Sequence, residues 1–212
     1  MVDIPLLSAW LLGAYLIGGI PFGFLIGKMR GVDVRTAGSK NIGATNVFRT
    51  VGKKWGLLAF FCDVMKGLVP TLVAKTLYAE TTPEMPILVG ITCVVGHMLT
   101  PYMKFKGGKG VATAFGALIA LMPTTVGMAF ALFAVVFACS HYISLGSCTA
   151  ATALAIAVWI PFLDHGGYHD LPLSVLVTLI AAFIVWKHRS NIGRLVRGEE
   201  SKIYLFKKPS NA

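Results

Sequence analysis

The sequence predicts an all-α integral membrane protein with about seven transmembrane helices, some of them short or tilted, an external N-terminus and a cytoplasmic C-terminus. Hydrophobic residues make up 56% of the 212 residues, charged residues make up only 13%, and the mean hydropathy is +0.74. These values lie far outside the composition of soluble domains. The whole chain, 1–212, is therefore expected to form a single polytopic membrane domain, and a large soluble catalytic domain is excluded.

The candidate spans are apolar runs that follow one another along the chain, at about 4–26, 55–77, 86–103, 111–122, 124–139, 143–163 and 171–186. No basic segment precedes the first run, which favours a retained helix over a cleaved signal peptide. Met122-Pro123 marks a break in the fourth apolar region, because proline ends a helix. We expect two crossings of about 15 residues each there, both shorter than the hydrocarbon core.

The distribution of charge predicts the direction of the spans. Seventeen of the 19 Lys and Arg residues lie in segments 28–54, 101–110 and 187–212, whereas the linkers 78–85 and 164–170 contain acidic residues and no cation. Because cytoplasmic loops carry the excess of Lys and Arg, the three basic segments are predicted to be cytoplasmic. The same rule accounts for the net charge of +10 without a nucleic-acid partner.

The first basic segment mixes glycine with polar side chains and reads Ala37-Gly-Ser-Lys-Asn-Ile-Gly-Ala-Thr-Asn-Val-Phe-Arg49. Such a mixture suits backbone and side-chain donors that converge on an oxyanion. Helix capping is an equal alternative, since Ser39 and Thr45 are both good N-cap residues.

The second basic segment, Phe105-Lys-Gly-Gly-Lys-Gly-Val111, leads into an apolar helix. Consecutive glycines at a helix start can present N–H groups to a phosphate, with added attraction from the helix dipole and the lysines. The segment is not a Walker A loop, because Gly110 stands where that motif has Ser or Thr. It is a candidate phosphate cradle, and a flexible basic turn is the simpler alternative.

The third basic segment follows the last span and begins Lys187-His-Arg-Ser-Asn-Ile-Gly-Arg194. On a continuing helix His188 and Asn191 share a face, with Arg194 next along it. A row of basic residues at the membrane interface would explain the cations but not Asn191.

Charged and polar residues also occur within the predicted spans or at their ends. Asp63 and Lys66 are three residues apart and can pair, and an intramembrane charge is costly unless it has a role. We interpret this pair as support for the wall of a pocket. His97 approaches the glycine segment and could line it.

The pattern of acidic residues and cysteines argues against a metal site. The three cytoplasmic segments contain only Asp33, Glu199 and Glu200 as acids, so they offer no carboxylate cluster for a divalent metal. The four cysteines all lie in apolar stretches, without metal-ligand spacing or a disulfide pattern. The sequence therefore predicts phosphate-ester chemistry without a metal or cofactor, on a substrate with an apolar chain and an anionic head group.

Together the three segments resemble the motifs of the PlsY family, the bacterial membrane glycerol-3-phosphate acyltransferases that use an acyl phosphate as donor. The family pattern is Gly-Ser-Gly-Asn-x-Gly-Ala-Thr-Asn-x-x-Arg, then Phe-Lys-Gly-Gly-Lys-Gly, then His-Arg-x-Asn-Ile-x-Arg-Leu-x-x-Gly-x-Glu. The corresponding ranges here are 38–49, 105–110 and 188–200, and the resemblance covers nearly the whole chain. The chain departs from the pattern at Lys40, where the family usually has glycine.

The resemblance implies that a fatty acyl group is transferred from acyl phosphate to the 1-position of glycerol 3-phosphate, giving lysophosphatidic acid and phosphate in phospholipid biosynthesis. Catalytic roles are expected for Ser39, His188 and Asn191. The residues expected to bind substrate are Thr45, Asn46, Arg49, Lys106, Gly107, Gly108, Lys109, Gly110 and Arg194. Those expected to support the site are Asp63, Lys66, His97 and Glu200.

Elementary chemistry adds detail to these expectations. Arg49 and Lys109 should bind phosphate oxygens, and Ser39 and Asn191 can donate to the acyl phosphate or to the developing oxyanion. His188 titrates in the right range to accept the proton of the attacking hydroxyl, but a substrate phosphate can accept it instead, and a histidine among arginines can act as a donor. No acyl-enzyme is required, so Ser39 as a nucleophile is the lesser alternative.

Two other classes of function fit parts of the pattern. A membrane transporter of an anionic phosphate metabolite would also need intramembrane charge and helix breaks, but the three motifs show no internal repeat. A lipid-binding protein without catalysis would not need Ser39, His188 and Asn191 together. The expected location is the bacterial inner membrane, with the site on its cytoplasmic side. The expected partners are the two substrates and membrane lipid, with no nucleic acid and no obligate protein partner.

Overall fold

The computed structural model describes residues 4–78, 80–160 and 171–204, and these residues contain α-helices, turns and one short 3-10 helix, without a strand. The predicted all-α class is therefore confirmed for this part of the chain. The predicted acidic linker 164–170 and the last basic residues, Lys207 and Lys208, lie outside it. The helices are α1 Ile4–Gly19, α2 Phe22–Met29, α3 Ala44–Thr50, α4 Lys53–Tyr78, α5 Glu84–Met98, the 3-10 helix Pro101–Met103, α6 Val111–Leu121, α7 Pro123–Ser140, α8 Ile143–Ala157, α9 Leu171–Lys187 and α10 Arg189–Val196.

Four helical stretches among the described residues are long and apolar enough to cross a membrane, namely Ile4–Met29, Lys53–Tyr78, Glu84–Met103 and Pro123–Ser140. A fifth is present if α9 and α10, which are bent by 53° at their junction, count as one span. The helices α6 and α8 are shorter apolar helices. Apolar helices thus occur at each of the predicted places, while the number that cross the bilayer and their direction stay predictions.

The first apolar run forms two helices instead of the one that was predicted. Pro21 has no N–H, so α1 ends at Gly19 and α2 begins at Phe22. At this break the Thr100 hydroxyl donates to the Gly19 carbonyl at 2.6 Å, and the Lys66 ammonium donates to the Ile20 carbonyl at 2.7 Å. These side chains satisfy backbone groups that would otherwise lack partners in a membrane.

The predicted break at Met122-Pro123 is present, but only one of the two flanking helices is short. The helix α6 has 11 residues, and α7 has 18 because it starts at Pro123 and continues through Ser140. Proline is well tolerated at the first position of a helix, where its missing N–H has no intrahelical partner in any case. The expected length of about 15 residues is therefore wrong for α7, whereas the two crossings themselves stay a prediction.

Glycines allow α4 and α6 to pack with their backbones in contact. A Cβ atom on Gly67 would lie 2.1 Å from the Thr113 carbonyl oxygen, and one on Gly116 would lie 2.0 Å from the Val64 carbonyl oxygen. Larger residues would push the helices apart, as in other close membrane helix pairs. This packing brings the start of α6 to the same cavity wall as Asp63 of α4.

The largest buried apolar cluster joins α5 to α9. Its members include Ile87, Leu118, Val126, Leu154 and Val177, each 8% exposed or less. Because five helices contribute to it, the cluster fixes the position of α8 and α9 relative to α6. That arrangement determines where the third motif leaves the bundle.

Candidate active site

A cavity of about 780 Å³ lies where the three motif segments meet. Its lining includes most of the residues that were predicted from the sequence, namely Ser39, Thr45, Asn46, Arg49, Asp63, His97, Lys109, Gly110, His188, Asn191 and Glu200. Five other predicted residues do not line the cavity, namely Lys66, Lys106, Gly107, Gly108 and Arg194. The rest of the wall is largely apolar and includes the side chains of Phe60, Phe130, Phe133 and Phe137. The cavity therefore combines a polar wall with an apolar one.

Asn46 organises the first motif from within. Its Oδ1 accepts a hydrogen bond from the Ser39 N–H at 2.8 Å, and its Nδ2 donates to the carbonyls of Val34 at 2.8 Å, Ala37 at 3.1 Å and Asn41 at 2.9 Å. The side chain is buried and its polar atoms are engaged by the loop itself. Its contacts hold Ser39 at the cavity wall, and the predicted binding of substrate by Asn46 stays a prediction.

The backbone at Lys40 has a conformation that glycine adopts more readily than other residues. Its φ is 58°, in the left-handed region that residues with a Cβ rarely adopt. The Lys40 N–H donates to the Ala37 carbonyl at 3.0 Å, which closes the turn beside Ser39. The chain thus adopts a left-handed conformation at a lysine, at a cost of about 1–2 kcal/mol.

Gly107 and Gly108 do not direct their N–H groups at the cavity. The Gly107 N–H donates to the Met98 carbonyl at 3.2 Å, and the Gly108 N–H donates to the His97 carbonyl at 3.1 Å. A Cβ atom on Gly108 would lie 2.1 Å from His97 Nε2. The glycine pair therefore packs against the end of α5, which differs from the phosphate cradle that the sequence suggested.

The positive start of α6 lies two residues after that pair. Gly110, with φ of 85°, is the N-cap of α6, and Gly110, Val111 and Ala112 line the cavity. The first N–H groups of a helix have no partner within it and carry the positive end of the helix dipole. The second motif thus presents a helix start, together with Lys109, to the cavity.

Lys109 connects the second motif to the third. Its Nζ donates a hydrogen bond to Oδ1 of Asn191. Burial lowers the pKa of Lys109 from 10.5 to about 8, against the opposing effect of the Glu200 carboxylate. The ammonium is therefore charged near neutral pH but loses its proton more readily than an ordinary lysine.

His188 lies just beyond the last residue of α9, at the bend that precedes α10. Its ring is buried, and Nδ1 lies 2.8 Å from the Ile184 carbonyl oxygen. Because a carbonyl can only accept, Nδ1 carries the proton and Nε2 of the neutral ring has a free electron pair. Burial, together with the positive charge of Lys109, lowers the pKa of His188 from 6.5 to about 4. The ring is thus neutral near pH 7 and is a weaker base than an ordinary histidine.

Glu200 is buried and is the centre of a polar network that consists of Glu200, Arg49, Ser144, Asn191 and Arg194. Its carboxylate accepts hydrogen bonds from Asn191 Nδ2 at 2.7 Å, Ser144 Oγ at 3.1 Å and Arg194 Nε at 2.6 Å, and it lies 3.5 Å from Arg49 Nη2. Burial alone would raise the pKa of Glu200, but the hydrogen bonds from Asn191 and Arg194 outweigh it and lower the pKa. The Glu200 network therefore joins α3, α8 and α10 around a charged carboxylate.

Arg49 has unused hydrogen-bonding capacity at the cavity wall. Its Nη2 donates to the Ser201 carbonyl at 2.9 Å, but its buried Nε has no hydrogen-bond partner among the described residues. A buried donor without a partner is costly unless a ligand satisfies it. The guanidinium is therefore well placed for the oxygens of an anionic group.

Asp63, Lys66 and His97 form a buried group between α4 and the end of α5. Lys66 Nζ lies 2.7 Å from Asp63 Oδ1, so the ion pair predicted from the spacing is present. His97 Nδ1 lies 3.7 Å from the same oxygen. Asp63 and His97 face the cavity, whereas the Lys66 ammonium also bonds the Ile20 carbonyl and so ties the cavity wall to the break in the first span.

Sequence reasoning missed several residues of the wall. Ser144 donates to Glu200, and His141 and Tyr204 line the cavity with their ring centroids 4.6 Å apart. The sequence offers one signal for Ser144, since Ser144 and Ser147 are three residues apart on α8 and both are buried polar residues. Such spacing places them on one helix face, but it does not reveal what that face contacts. Within the described residues there is no group of three or more His, Cys, Asp or Glu that could hold a metal ion.

Comparison with known proteins agrees with the motifs. A family model for glycerol-3-phosphate acyltransferase matches residues 8–198. The glycerol-3-phosphate acyltransferase of Trichlorobacter lovleyi is 46% identical over 194 residues, which cover 91% of this chain and 95% of that protein. The enzyme of the same name from Aquifex aeolicus is 41% identical over 191 residues, which cover 89% of this chain and 95% of that protein.

Two solved structures have a fold similar to that of this chain. The crystal structure of PlsY, an integral membrane glycerol 3-phosphate acyltransferase, in its glycerol 3-phosphate form matches with a TM-score of 0.85 at 36% identity, covering 93% of this chain and 96% of that one. The lysophosphatidic acid form of PlsY matches with a TM-score of 0.81, covering 93% and 95% of the two chains.

The apolar helices, the amphipathic cavity and these similarities together define an integral membrane acyltransferase. More closely, the chain belongs to the glycerol-3-phosphate acyltransferase family, the family of PlsY. The resemblance inferred from the three motifs is thus confirmed.

Proposed function

We propose that this protein transfers a fatty acyl group from an acyl phosphate to the 1-position of glycerol 3-phosphate and releases lysophosphatidic acid and inorganic phosphate. The reaction takes place on the cytoplasmic side of the bacterial inner membrane. The observation that carries the proposal is the cavity itself, which joins a cationic wall to an apolar wall. Both substrates of this reaction carry a phosphate, and one of them also carries a long apolar chain.

The charge around the cavity favours anionic ligands. Arg49, Lys109 and the start of α6 contribute positive charge to the wall. The carboxylates in the lining are Asp63, which is paired with Lys66, and Glu200, which is held by Arg194 and Asn191. Because the acids are already engaged, the remaining positive charge is available to phosphate groups.

In the reaction the glycerol hydroxyl oxygen forms a bond to the acyl carbonyl carbon, the bond from that carbon to the phosphate oxygen breaks, and the hydroxyl proton passes to a base. Lys109 and Arg49 hold the phosphates, and Ser39 donates to the acyl phosphate or to the developing oxyanion. Asn191 has its Oδ1 and Nδ2 engaged by Lys109 and Glu200, so in this state it positions Lys109.

The pKa of His188 bears on which group accepts the proton. A histidine with a pKa of about 4 can accept a hydrogen bond through Nε2 but holds a proton poorly near neutral pH. The phosphate of the donor is a stronger base than the His188 ring. We therefore infer that His188 orients the attacking hydroxyl. The departing phosphate receives the proton.

The donor, the reaction and the role of His188 can be tested with purified protein in lipid nanodiscs. Lysophosphatidic acid and phosphate should appear in equal amounts from acyl phosphate and glycerol 3-phosphate, and acyl-CoA should not replace the donor. His188→Ala should lower kcat by on the order of a hundredfold, because the attacking hydroxyl loses the group that orients it, whereas Arg197→Ala, at an exposed residue, should not. Equal turnover with acyl-CoA would contradict the proposed donor, and near-normal turnover in His188→Ala would remove that residue from the chemistry.

The cytoplasmic location is tested separately. The motivation is the concentration of Lys and Arg in the three motif segments. A reporter attached after Ala212 should be protected from a membrane-impermeant reagent in spheroplasts and become reactive after lysis. Labelling without lysis would reverse the assigned topology and, with it, the side of the membrane on which the substrates must be supplied.

A further inference from the structure

A second, smaller cavity adjoins the apolar wall of the first. It has a volume of about 110 Å³ and shares Phe60, Val111, Phe130, Phe133 and Ser147 with the larger cavity. Its remaining lining residues are all apolar. A hydrocarbon chain whose carbonyl lies at the polar wall could therefore continue into this space without meeting a charge.

One end of the small cavity is formed by the protein core. Leu118, Val126, Leu154 and Val177 line it and are 6%, 3%, 8% and 1% exposed. All four also belong to the largest buried apolar cluster, which joins α5 to α9. A chain that enters along this side from the larger cavity would therefore meet packed side chains at these four residues.

The space exists because small side chains face one another across α6, α8 and α9. Ala114, Ala151 and Ala181 all line the small cavity and come from these three helices in turn. Ala151 also packs beside the buried cluster that contains Ala114 and Ile184. A larger residue at any of these positions would occupy the room that an acyl chain needs.

We infer that the small cavity receives the terminal carbons of the donor's fatty acyl chain, and that Ala151 and Leu154 set the longest chain that the enzyme uses well. This inference rests on the proposed function insofar as it needs an acyl donor. It names a specificity site that the three sequence motifs do not contain.

The size of the cavity gives the expected selectivity. A dry apolar cavity of roughly 150 Å³ can hold benzene, so a volume of 110 Å³ corresponds to about four methylene groups. Each buried methylene improves binding by about fourfold. We expect kcat/KM to rise by about that factor per carbon as the chain fills the pocket, and to stop rising or to fall once it reaches Leu154.

The test measures kcat/KM for a series of saturated acyl phosphates that grow by two carbons, with the protein in nanodiscs. Ala151→Phe should fill most of the pocket and shorten the longest chain that is used well by about four carbons. Leu154→Ala removes side-chain atoms from the core end of the pocket. It should therefore lengthen the longest chain that is used well by about three carbons. Thr152→Leu is the matched control, because Thr152 is an exposed residue on the same helix and lines neither cavity.

Opposite shifts in Ala151→Phe and Leu154→Ala, with an unchanged KM for glycerol 3-phosphate, would support the inference. An unchanged chain-length profile in folded Ala151→Phe would overturn it and would indicate that the chain leaves between α4 and α7, past the exposed rings of Phe60 and Phe130. These rings are 39% and 46% exposed.

A binding measurement separates this inference from the proposed function. Lysophosphatidic acids of increasing chain length should stabilise the unmodified protein against heat up to the same limiting length, and Ala151→Phe should shorten that limit. This readout needs no turnover. Failure of all acyl phosphates as donors would contradict the proposed function, whereas a limiting length that does not move in Ala151→Phe would contradict the pocket alone.

Discussion

Replacement of Gly108 by alanine tests whether the glycine pair acts on substrate or on the protein itself. The new Cβ atom would lie 2.1 Å from Nε2, 2.8 Å from Cε1 and 3.1 Å from Cδ2 of His97. The backbone of Gly108 is not in the left-handed region, so the cost comes from this contact. His97 is 5% exposed and has little free space into which it can move.

The expected cost is that of an overpacked core. To restore ordinary van der Waals contact the His97 ring must move by more than about 1 Å. Such substitutions destabilise by about 1–3 kcal/mol, which corresponds to a fall in melting temperature of about 2–12 °C for a chain of this size. Because His97 also lines the cavity beside Asp63, we expect activity to fall as an indirect result.

The assay combines thermal unfolding in detergent with initial rates for Gly108→Ala, His97→Ala and the double variant. Removal of the imidazole should relieve the clash, so the two substitutions should be non-additive by about 1 kcal/mol or more. Gly127→Ala is the matched control, since a Cβ atom there meets nothing within 4 Å. If Gly108→Ala instead unfolds like the unmodified protein, raises only the KM for glycerol 3-phosphate and is not rescued by His97→Ala, the reasoning from packing fails and the glycine acts directly on substrate.

Three further predictions concern residues of the three motif segments. Glu200→Gln should lower the free energy of unfolding by about 1–3 kcal/mol, because it leaves partly buried arginine donors without their charged partner, while Glu199→Gln at an exposed site should change it by less than about 0.5 kcal/mol in the same unfolding assay. Since the pKa of Lys109 is lowered to about 8, kcat/KM for glycerol 3-phosphate should decline above that pH as the ammonium loses its proton. Lys109→Arg should abolish this decline and Lys104→Arg should retain it, and an unchanged profile in Lys109→Arg would exclude Lys109 as its source. Lys40→Gly should raise the free energy of unfolding by about 1–2 kcal/mol through relief of a positive φ, whereas Lys40→Ala, which keeps the strain, should not; equal effects of the two would point to the lost charge instead.

The parts of the fold that could be predicted are those set by local chemistry. Hydropathy was sufficient to predict the apolar helices. The break at Met122-Pro123 was predicted because proline ends a helix. The ion pair of Asp63 and Lys66 followed from a spacing of three residues on one helix. In each case the deciding interaction lies within a few residues along the chain.

The parts that could not be predicted depend on contacts between distant segments. The N–H groups of Gly107 and Gly108 are directed away from the cavity by carbonyls at the end of α5, and no local pattern shows this. Lys66 has a second partner at Ile20, 46 residues away, because another helix breaks beside it. The apolar wall of the cavity was also missed, since phenylalanines that face a pocket have the same pattern as phenylalanines that face lipid.

The position of Glu200 in the chain has a consequence for biosynthesis. Glu200 contacts Arg49 across 151 residues and Ser144 across 56, so it is translated after every helix that its carboxylate connects. While the chain is still being inserted into the membrane, Arg49 and Asn191 therefore lack the carboxylate that holds them in place. The cavity can form its full geometry only when synthesis has passed this residue. A chain that ended before Glu200 would thus contain Arg49, Ser144 and Asn191 without the carboxylate that joins them.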